Sequence, residues 1–195
     1  MTEPSQSLSP EPTREQIKAS RTKLLVLIAI AFVPILIAFL LFRYLPDWRP
    51  EGTTNQGELI IPPLNGKEIS ADLLRVNTWV LLQPSGTSCD DGCEQMLYLS
   101  RQVVTGLGKN SARIGRMVVV PGTVSDGFEQ HLQQEHRDVT VVEADAGLLN
   151  QVSPERPLLF VMDPNGNIMM YYSLEKAGKP MLKDLKHLLK LSNIG

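Results

Sequence analysis

The chain has 195 residues, of which 43% are hydrophobic and 21% charged, and its formal net charge is −2. From residue 44 onward it carries 14 basic and 18 acidic residues without a basic stripe, which excludes nucleic-acid binding as the expected function. We find no glycine-rich phosphate loop and no Ser-His-Asp arrangement. The two cysteines, Cys89 and Cys93, are therefore the main candidates for reactive or metal-binding residues.

The first predicted element is a run of nineteen uncharged residues, 24–42. A helix of this length spans about 28 Å, which matches the hydrocarbon core of a bilayer. Within some twenty residues of the run, more basic residues precede it than follow it, and the positive-inside rule then places the N-terminus in the cytoplasm. These residues are Arg14, Lys18, Arg21 and Lys23 before the run, and Arg43 and Arg49 after it.

A cleaved secretory signal is the main alternative for this run. Its apolar region would be about 7–15 residues long and would end at a small-residue cleavage site, and residues 41–46 offer no such site. We therefore predict an uncleaved single-pass anchor. Three acidic residues in the N-terminal tail, Glu3, Glu11 and Glu15, are atypical of a mitochondrial transit peptide. The predicted location is the bacterial inner membrane, with the C-terminal domain in the periplasm.

Polar segments flank the predicted membrane helix. Residues 1–23 are rich in Ser, Pro, Thr and Glu without apolar periodicity, which predicts a disordered cytoplasmic tail. Residues 43–57 are predicted to form a flexible tether with a reach of about 20 Å, which favours a membrane-bound partner. The remaining residues, 58–195, have the length of one ordinary domain.

Strands and helices alternate within residues 58–195. The sequence Asp163-Pro164-Asn165-Gly166 favours a hairpin turn between the last two strands. This order predicts an α/β domain with a mixed sheet flanked by helices. The predicted strands are residues 58–62, 77–83, 113–120, 139–142, 158–162 and 168–172, and the predicted helices are residues 94–107, 126–135, 146–151 and 181–191.

Cys89 and Cys93 form a C-x-x-x-C motif between a predicted strand and a predicted helix. Two thiolates suit Cu(I), and a nearby helix N-terminus favours a reactive thiolate, whereas Asp90, Asp91 and Glu94 oppose ionisation. Asp is also favoured at helix N-caps. In an exported domain the pair could equally form a structural disulfide, since bridging needs Cα atoms within about 7 Å. Copper binding, thiol exchange and a structural bond all remain open from these residues.

Several segments together resemble the thioredoxin-like redoxin superfamily: Pro63 to Ser70, the strand Trp79 to Leu82, the cysteine motif, residues 118–120 and residues 158–166. The cysteine spacing, the anchor and the hairpin are most similar to the Sco proteins, membrane-anchored copper chaperones for cytochrome c oxidase assembly. The resemblance implies a thioredoxin-like fold over residues 58–195. It also implies an accessory role in oxidase assembly, in which Cys89 and Cys93 bind Cu(I) or handle the thiols of a membrane-bound client such as an oxidase subunit.

The chain departs from the Sco pattern at its copper ligands. The family has a proline after each cysteine, where this chain has Asp90 and Glu94. The family's third copper ligand is a histidine eleven residues before the hairpin glycine, and counting back from Gly166 reaches Glu155, a poor donor for a soft ion. The histidines of this chain, which are not at that position, are His131, His136 and His187.

Pro157 lies nine residues before Gly166 and starts a predicted strand. It resembles the cis-proline that faces the cysteines in thioredoxin-like thiol oxidoreductases, which makes it a further candidate site residue. The alternative function is therefore a general membrane-tethered thiol-disulfide oxidoreductase. A third possibility is a non-catalytic interaction module that keeps the fold and a structural disulfide.

Overall fold

The computed structural model describes residues 14–44, 55–75, 77–153 and 155–192, which fall into two units, Met1–Thr53 and Thr54–Gly195. The first unit contains helix α1, Arg14–Tyr44. Its segment Ser20–Tyr44 is long and apolar enough to cross a membrane, and it includes the predicted span of residues 24–42. Pro34 lies within the helix without ending it.

The predicted disordered tail, residues 1–23, is wrong for residues 14–23, which belong to α1. Once the apolar run has formed a helix, each added residue gains one backbone hydrogen bond, and this stretch is rich in good helix formers. The Thr22 hydroxyl also donates to the Lys18 carbonyl oxygen at 3.0 Å. Residues 1–13, and residues 45–54 of the predicted tether, lie outside the described residues.

The second unit contains a six-stranded mixed sheet in the order β1-β6-β5-β2-β3-β4. Strands β2, β3 and β4 are parallel to one another, whereas β5 is antiparallel to β2, and β6 is antiparallel to both β5 and β1. The predicted mixed sheet with flanking helices is confirmed. The strands are β1 (Glu58–Asn65), β2 (Trp79–Pro84), β3 (Ile114–Val120), β4 (Val139–Glu143), β5 (Leu158–Met162) and β6 (Asn167–Ser173).

Helices cover both faces of this sheet. The α-helices of the domain are α2 (Asp91–Gly106), α3 (Asp126–Glu135), α4 (Gly147–Asn150) and α5 (Lys179–Leu191). Three 3-10 segments, which are too short to show a periodicity in the sequence, were not predicted: Gly66–Glu68, Ala71–Arg75 and Gly108–Arg113.

Strand β2 lies in the middle of the core and is buried on both faces, as is typical of parallel strands. Trp79 and Leu81 belong to a cluster with side chains of α2 and α5. Val80 and Leu82 belong to a second cluster on the opposite face, with side chains of α4 and a 3-10 segment. The end of β2 is consequently a rigid point from which the following loop departs.

Two predicted boundaries of the domain's strands and helices differ from the structure by three residues, and the others by at most two. Helix α2 begins at Asp91, three residues before the predicted start, because the Asp90 side chain accepts a hydrogen bond from the Cys93 backbone N–H. Strand β1 extends to Asn65, because Leu64 and Asn65 pair with β6 after an irregularity in the register. Gly166 closes the predicted hairpin with a φ of +89°, a conformation that favours glycine.

The start of the domain is held by a buried carboxylate on α5. Asp184 Oδ2 accepts hydrogen bonds from the backbone N–H groups of Gln56 and Gly57 and from the Tyr172 hydroxyl. Burial and the Asp184 charge raise the pKa of Tyr172, which keeps this donor protonated. The predicted flexible tether, residues 43–57, is therefore wrong at its end, because Gln56 and Gly57 are bound to the domain.

A buried polar cluster connects β3 to the end of α3. Arg116, 3% exposed, donates to the Leu97 carbonyl oxygen, to the Ser100 hydroxyl and to the Asp138 carboxylate. The Nδ1 atom of His136, also 3% exposed, lies 3.4 Å from the Arg116 guanidinium. Burial and, next, the positive charge of Arg116 lower the pKa of His136 to about 4.

This environment predicts a loss of stability at acidic pH. In the unfolded chain His136 takes up a proton near pH 6.5, whereas in the folded domain it stays neutral down to about pH 4. The unfolded state binds more protons between these values, so the free energy of unfolding falls as the pH falls, by about 3 kcal/mol in total. Denaturant unfolding of the full chain in detergent micelles at pH 7 and at pH 4 measures this loss.

The matched control is His136→Gln, which keeps a polar side chain but does not titrate. The loss between the two pH values should be smaller in the variant by the His136 contribution. An equal loss in both proteins would assign the acid sensitivity to other groups.

Candidate functional site

Cys89 and Cys93 are joined by a disulfide, with their Cα atoms 5.3 Å apart. Cys89 lies in the loop after β2 and is half-buried, whereas Cys93 lies in the first turn of α2 and is 6% exposed. The two cysteines thus differ in exposure, and Cys89 is the more exposed of the two.

Asp90 places Cys93 at the start of α2. Its carboxylate accepts the Cys93 backbone N–H at 2.8 Å, and its carbonyl oxygen accepts the Glu94 N–H at 2.9 Å. The prediction that an aspartate of this motif caps the helix is confirmed for Asp90. Cys93 therefore lies at the positive end of the helix dipole, which stabilises a negative charge.

Two polar side chains of β2 and its exit loop contact Cys93. Gln83 Nε2 donates to the Cys93 carbonyl oxygen at 3.1 Å, and Ser85 Oγ lies 3.3 Å from Cys93 Sγ. The disulfide sulfur carries no hydrogen, so Ser85 is the donor in this state. Neither residue was predicted from the sequence, although a polar Gln83 at the end of an otherwise apolar strand is a signal for one of them.

Cys93 lines a cleft of about 450 Å³. Ser85, Asp90, Arg156 and Pro157 also line this cysteine cleft. The structure therefore brings Pro157 to the cysteines, and the Arg156–Pro157 peptide bond is cis.

Gly92 permits the close approach of Pro157. A Cβ atom at Gly92 would lie 3.2 Å from Pro157 Cδ, a distance at which the proline ring would have to shift.

Arg156 is a third residue of the site that was not predicted from the sequence. Its guanidinium donates to the carbonyl oxygens of Asn150, Ser153 and Glu155, and these bonds fix the segment that precedes Pro157. The side chain brings a positive charge to a cleft that Asp90 also lines. Its signal in the sequence, one arginine before a proline, was too common to be informative.

Glu155, at the position of the family histidine, does not line the cysteine cleft. It is exposed and lines a neighbouring cleft of about 610 Å³, together with Tyr171 and Lys176. The three histidines lie elsewhere: His131 and His136 lie at α3 with their rings 5.2 Å apart, and His187 is exposed on α5.

The described residues include no group of three or more His, Cys, Asp or Glu that could hold a metal ion. The residues at the cleft therefore do not fit a copper site with three ligands. Copper binding here would depend on the two thiolates alone, after reduction of the disulfide. Two thiolates suit Cu(I) but not Cu(II), which normally requires additional nitrogen or oxygen donors.

The Asp90 cap predicts different effects for two substitutions. Asp90→Ala removes the acceptor of the Cys93 N–H and should lower the free energy of unfolding by about 1 kcal/mol. Asp90→Asn keeps an oxygen acceptor and should stay close to the unsubstituted protein. Denaturant unfolding of the oxidised proteins distinguishes them. Equal losses in both variants would mean that the charge of Asp90, and not its hydrogen bond, stabilises the helix.

Several solved structures are similar to the chain. The chain is similar to a copper-bound ScoI from Bradyrhizobium japonicum (16% identity, 56% of this chain and 84% of the other, TM-score 0.42). It is also similar to a thiol:disulfide interchange protein from Bacteroides sp. (12% identity, 63% and 78%, TM-score 0.43). A third similar structure is a SCO1/SenC family lipoprotein from Bacillus anthracis (13% identity, 69% and 94%, TM-score 0.42).

These structures thus include two Sco proteins and a thiol:disulfide interchange protein. No curated protein sequence matches the chain. Residues 79–192, more than half of the chain, match the family described as transmembrane-like, thioredoxin-like, C-terminal domain. The predicted thioredoxin-like fold is thereby confirmed, and the chain belongs to this transmembrane-like, thioredoxin-like C-terminal domain family.

Proposed function

We propose that this protein is a membrane-anchored thiol-disulfide exchange protein whose Cys89–Cys93 pair reacts with the cysteine pair of a membrane-bound client. The observation that supports this most directly is the asymmetry of the disulfide. Cys89 is half-buried in the loop before α2, whereas Cys93 is 6% exposed and is contacted by the Ser85 hydroxyl at the N-terminus of α2. This arrangement provides an attack site and a stabilised leaving group.

The exchange begins when a client thiolate attacks Cys89 Sγ. A bond forms between the client sulfur and Cys89, the Cys89–Cys93 bond breaks, and Cys93 leaves as a thiolate that Ser85 and the helix N-terminus stabilise. The second client thiol loses its proton and attacks the client sulfur of the mixed disulfide, which releases Cys89. The client dithiol thus loses two electrons and two protons, and Cys89 and Cys93 gain them.

The reverse reaction reduces a client disulfide, and the charges around the pair favour that direction. Three acidic residues lie in or next to the first turn of α2: Asp90, Asp91 and Glu94. Among the described residues that line the cleft, Arg156 is the one with a positive charge. Negative charges disfavour thiolates, and a dithiol form that is less stable gives up its electrons more readily. The working direction that we propose is therefore the donation of electrons to the client.

The class of client follows from the anchor. Helix α1 is apolar enough to span a membrane, so a domain on the same chain meets membrane proteins more often than soluble ones. We propose the inner membrane, with the thioredoxin-like domain in the periplasm and a copper-site subunit of a respiratory oxidase as the client. The support for this is the sequence resemblance to Sco proteins, together with the distribution of basic residues around α1.

The asymmetry of the pair predicts which single-cysteine variant reacts. In the full chain, Cys93→Ser leaves the more exposed Cys89, which should form a mixed disulfide with oxidised glutathione about tenfold faster than the buried Cys93 of Cys89→Ser. The same Cys93→Ser protein should trap a client in its native membrane. The rate of adduct formation by mass spectrometry, and covalent complexes on non-reducing gels, measure the two effects.

The double Cys89→Ser/Cys93→Ser variant is the control for complexes that do not depend on a thiol. Equal rates for the two single variants would contradict the proposed roles of the two sulfurs. A complete absence of trapped client, with a stability loss of about 2–4 kcal/mol in the double variant, would instead assign the pair as a structural disulfide in an interaction module.

Copper is proposed only as cargo of the reduced pair, since a third ligand is not in place at the cleft. In an anaerobic titration of the reduced chain against a competing chelator, we expect any Cu(I) binding to be lost in the double cysteine variant. Binding should be unchanged in Glu155→Gln, because Glu155 lies in the neighbouring cleft and a carboxylate is a poor ligand for a soft ion. A weaker affinity in Glu155→Gln would restore this residue to the ligand set.

A further inference from the structure

Gln83 is a buried polar residue next to the redox pair, and half of its amide has no partner. Its side chain is 1% exposed, and Nε2 donates to the Cys93 carbonyl oxygen at 3.1 Å. The other amide atom, Oε1, is buried without a hydrogen-bond partner among the described residues. A buried acceptor without a hydrogen-bond donor is destabilising. The disulfide form of the protein therefore carries an unsatisfied group.

Cys93 is the residue that can supply the missing donor. Its carbonyl oxygen accepts from Gln83 Nε2 at 3.1 Å, which places the Gln83 amide beside the Cys93 backbone. In the disulfide, Cys93 Sγ carries no hydrogen. Reduction breaks the sulfur–sulfur bond and adds two electrons and two protons, one of which makes Cys93 Sγ an S–H donor.

We propose that Gln83 is a positioning residue whose amide oxygen accepts a hydrogen bond from the Cys93 thiol in the reduced protein. This inference rests on the proposed exchange function and assigns the states of its two sulfurs. Cys93 is first released as a thiolate next to Ser85, then takes up a proton and is held by Gln83 as a buried neutral thiol. Cys89 is left as the thiol that reacts with the client.

This hydrogen bond changes the relative stability of the reduced and oxidised forms. The reduced form gains a hydrogen bond that the disulfide form lacks, so Gln83 stabilises the reduced form relative to the oxidised one. The bond from Nε2 to the Cys93 carbonyl oxygen can exist in both forms and cancels from the comparison. Gln83 therefore raises the reduction potential of the pair, whatever it contributes to the stability of the fold.

The substitution that tests this is Gln83→Met, which keeps an unbranched side chain of similar length without a strong hydrogen-bonding group. In the full chain in detergent micelles, equilibrated with glutathione, the equilibrium constant for reduction should fall about three- to tenfold, or about 15–30 mV. Ser85→Ala is the matched control for a polar contact that is already present in the disulfide form. An unchanged potential in Gln83→Met overturns the proposal, since a purely structural role would affect both redox forms alike.

A second measurement does not depend on how well Gln83→Met folds. The chain has two cysteines, so the Cys89→Ser protein contains one thiol, that of Cys93. Its S–H stretching band in the infrared should be shifted to the position of a hydrogen-bonded thiol. Adding Ser85→Ala should leave the band in place, whereas adding Gln83→Met should move it to the position of a free thiol.

A free S–H band in Cys89→Ser, where Gln83 is intact, overturns the proposal, and so does a band that moves with Ser85→Ala instead. Neither measurement involves a client. A failure of the trapping experiment would therefore contradict the proposed function but not the hydrogen bond between Gln83 and Cys93. An unchanged reduction potential together with a free S–H band would contradict the hydrogen bond but not the proposed function.

Discussion

The geometry of the site depends on the hydrogen bond from the Cys93 backbone N–H to the Asp90 carboxylate. It starts helix α2 at Asp91, so that Cys93 lies in the first turn while Cys89 stays in the loop. The four-residue separation is thereby folded to a Cα distance of 5.3 Å. Because only Cys93 lies in the helix, Cys93 is buried whereas Cys89 is half-buried. An acidic residue that lowers the reactivity of nearby thiols by its charge is thus also the residue that positions them.

The rest of the site is built on the buried middle of the sheet. Strand β2 is closed in by side chains on both of its faces, and it directs Gln83 and the following Ser85 toward the start of α2. Three hydrogen bonds from the Arg156 guanidinium to backbone carbonyl oxygens hold the segment before Pro157. Strand β2 and the loop before Pro157 are therefore both held in place at the cleft. This favours a reaction that needs defined positions for two sulfurs.

The residues around the cysteine pair fit the proposed thiol exchange better than a copper site with three ligands. The proposed exchange needs one sulfur that is more exposed than the other and polar groups beside the buried one, and Ser85, Gln83 and the N-terminus of α2 lie beside Cys93. A copper site needs a third donor, and Glu155 is turned to the neighbouring cleft. Glu155 thus supplies no third ligand at the cleft that Cys93 lines.

The sequence by itself determined the elements that depend on local patterns: the apolar length of α1, the alternation of strands and helices, the hairpin at Gly166 and the cysteine motif. Contacts between distant segments decided the rest. Pairing with β6 extended β1 to Asn65, the buried carboxylate of Asp184 bound the end of the predicted tether, and the packing of Pro157 on Gly92 brought Arg156 to the cysteine cleft. No periodicity records such contacts, because they join residues that are far apart in the chain and become neighbours only when the sheet has formed.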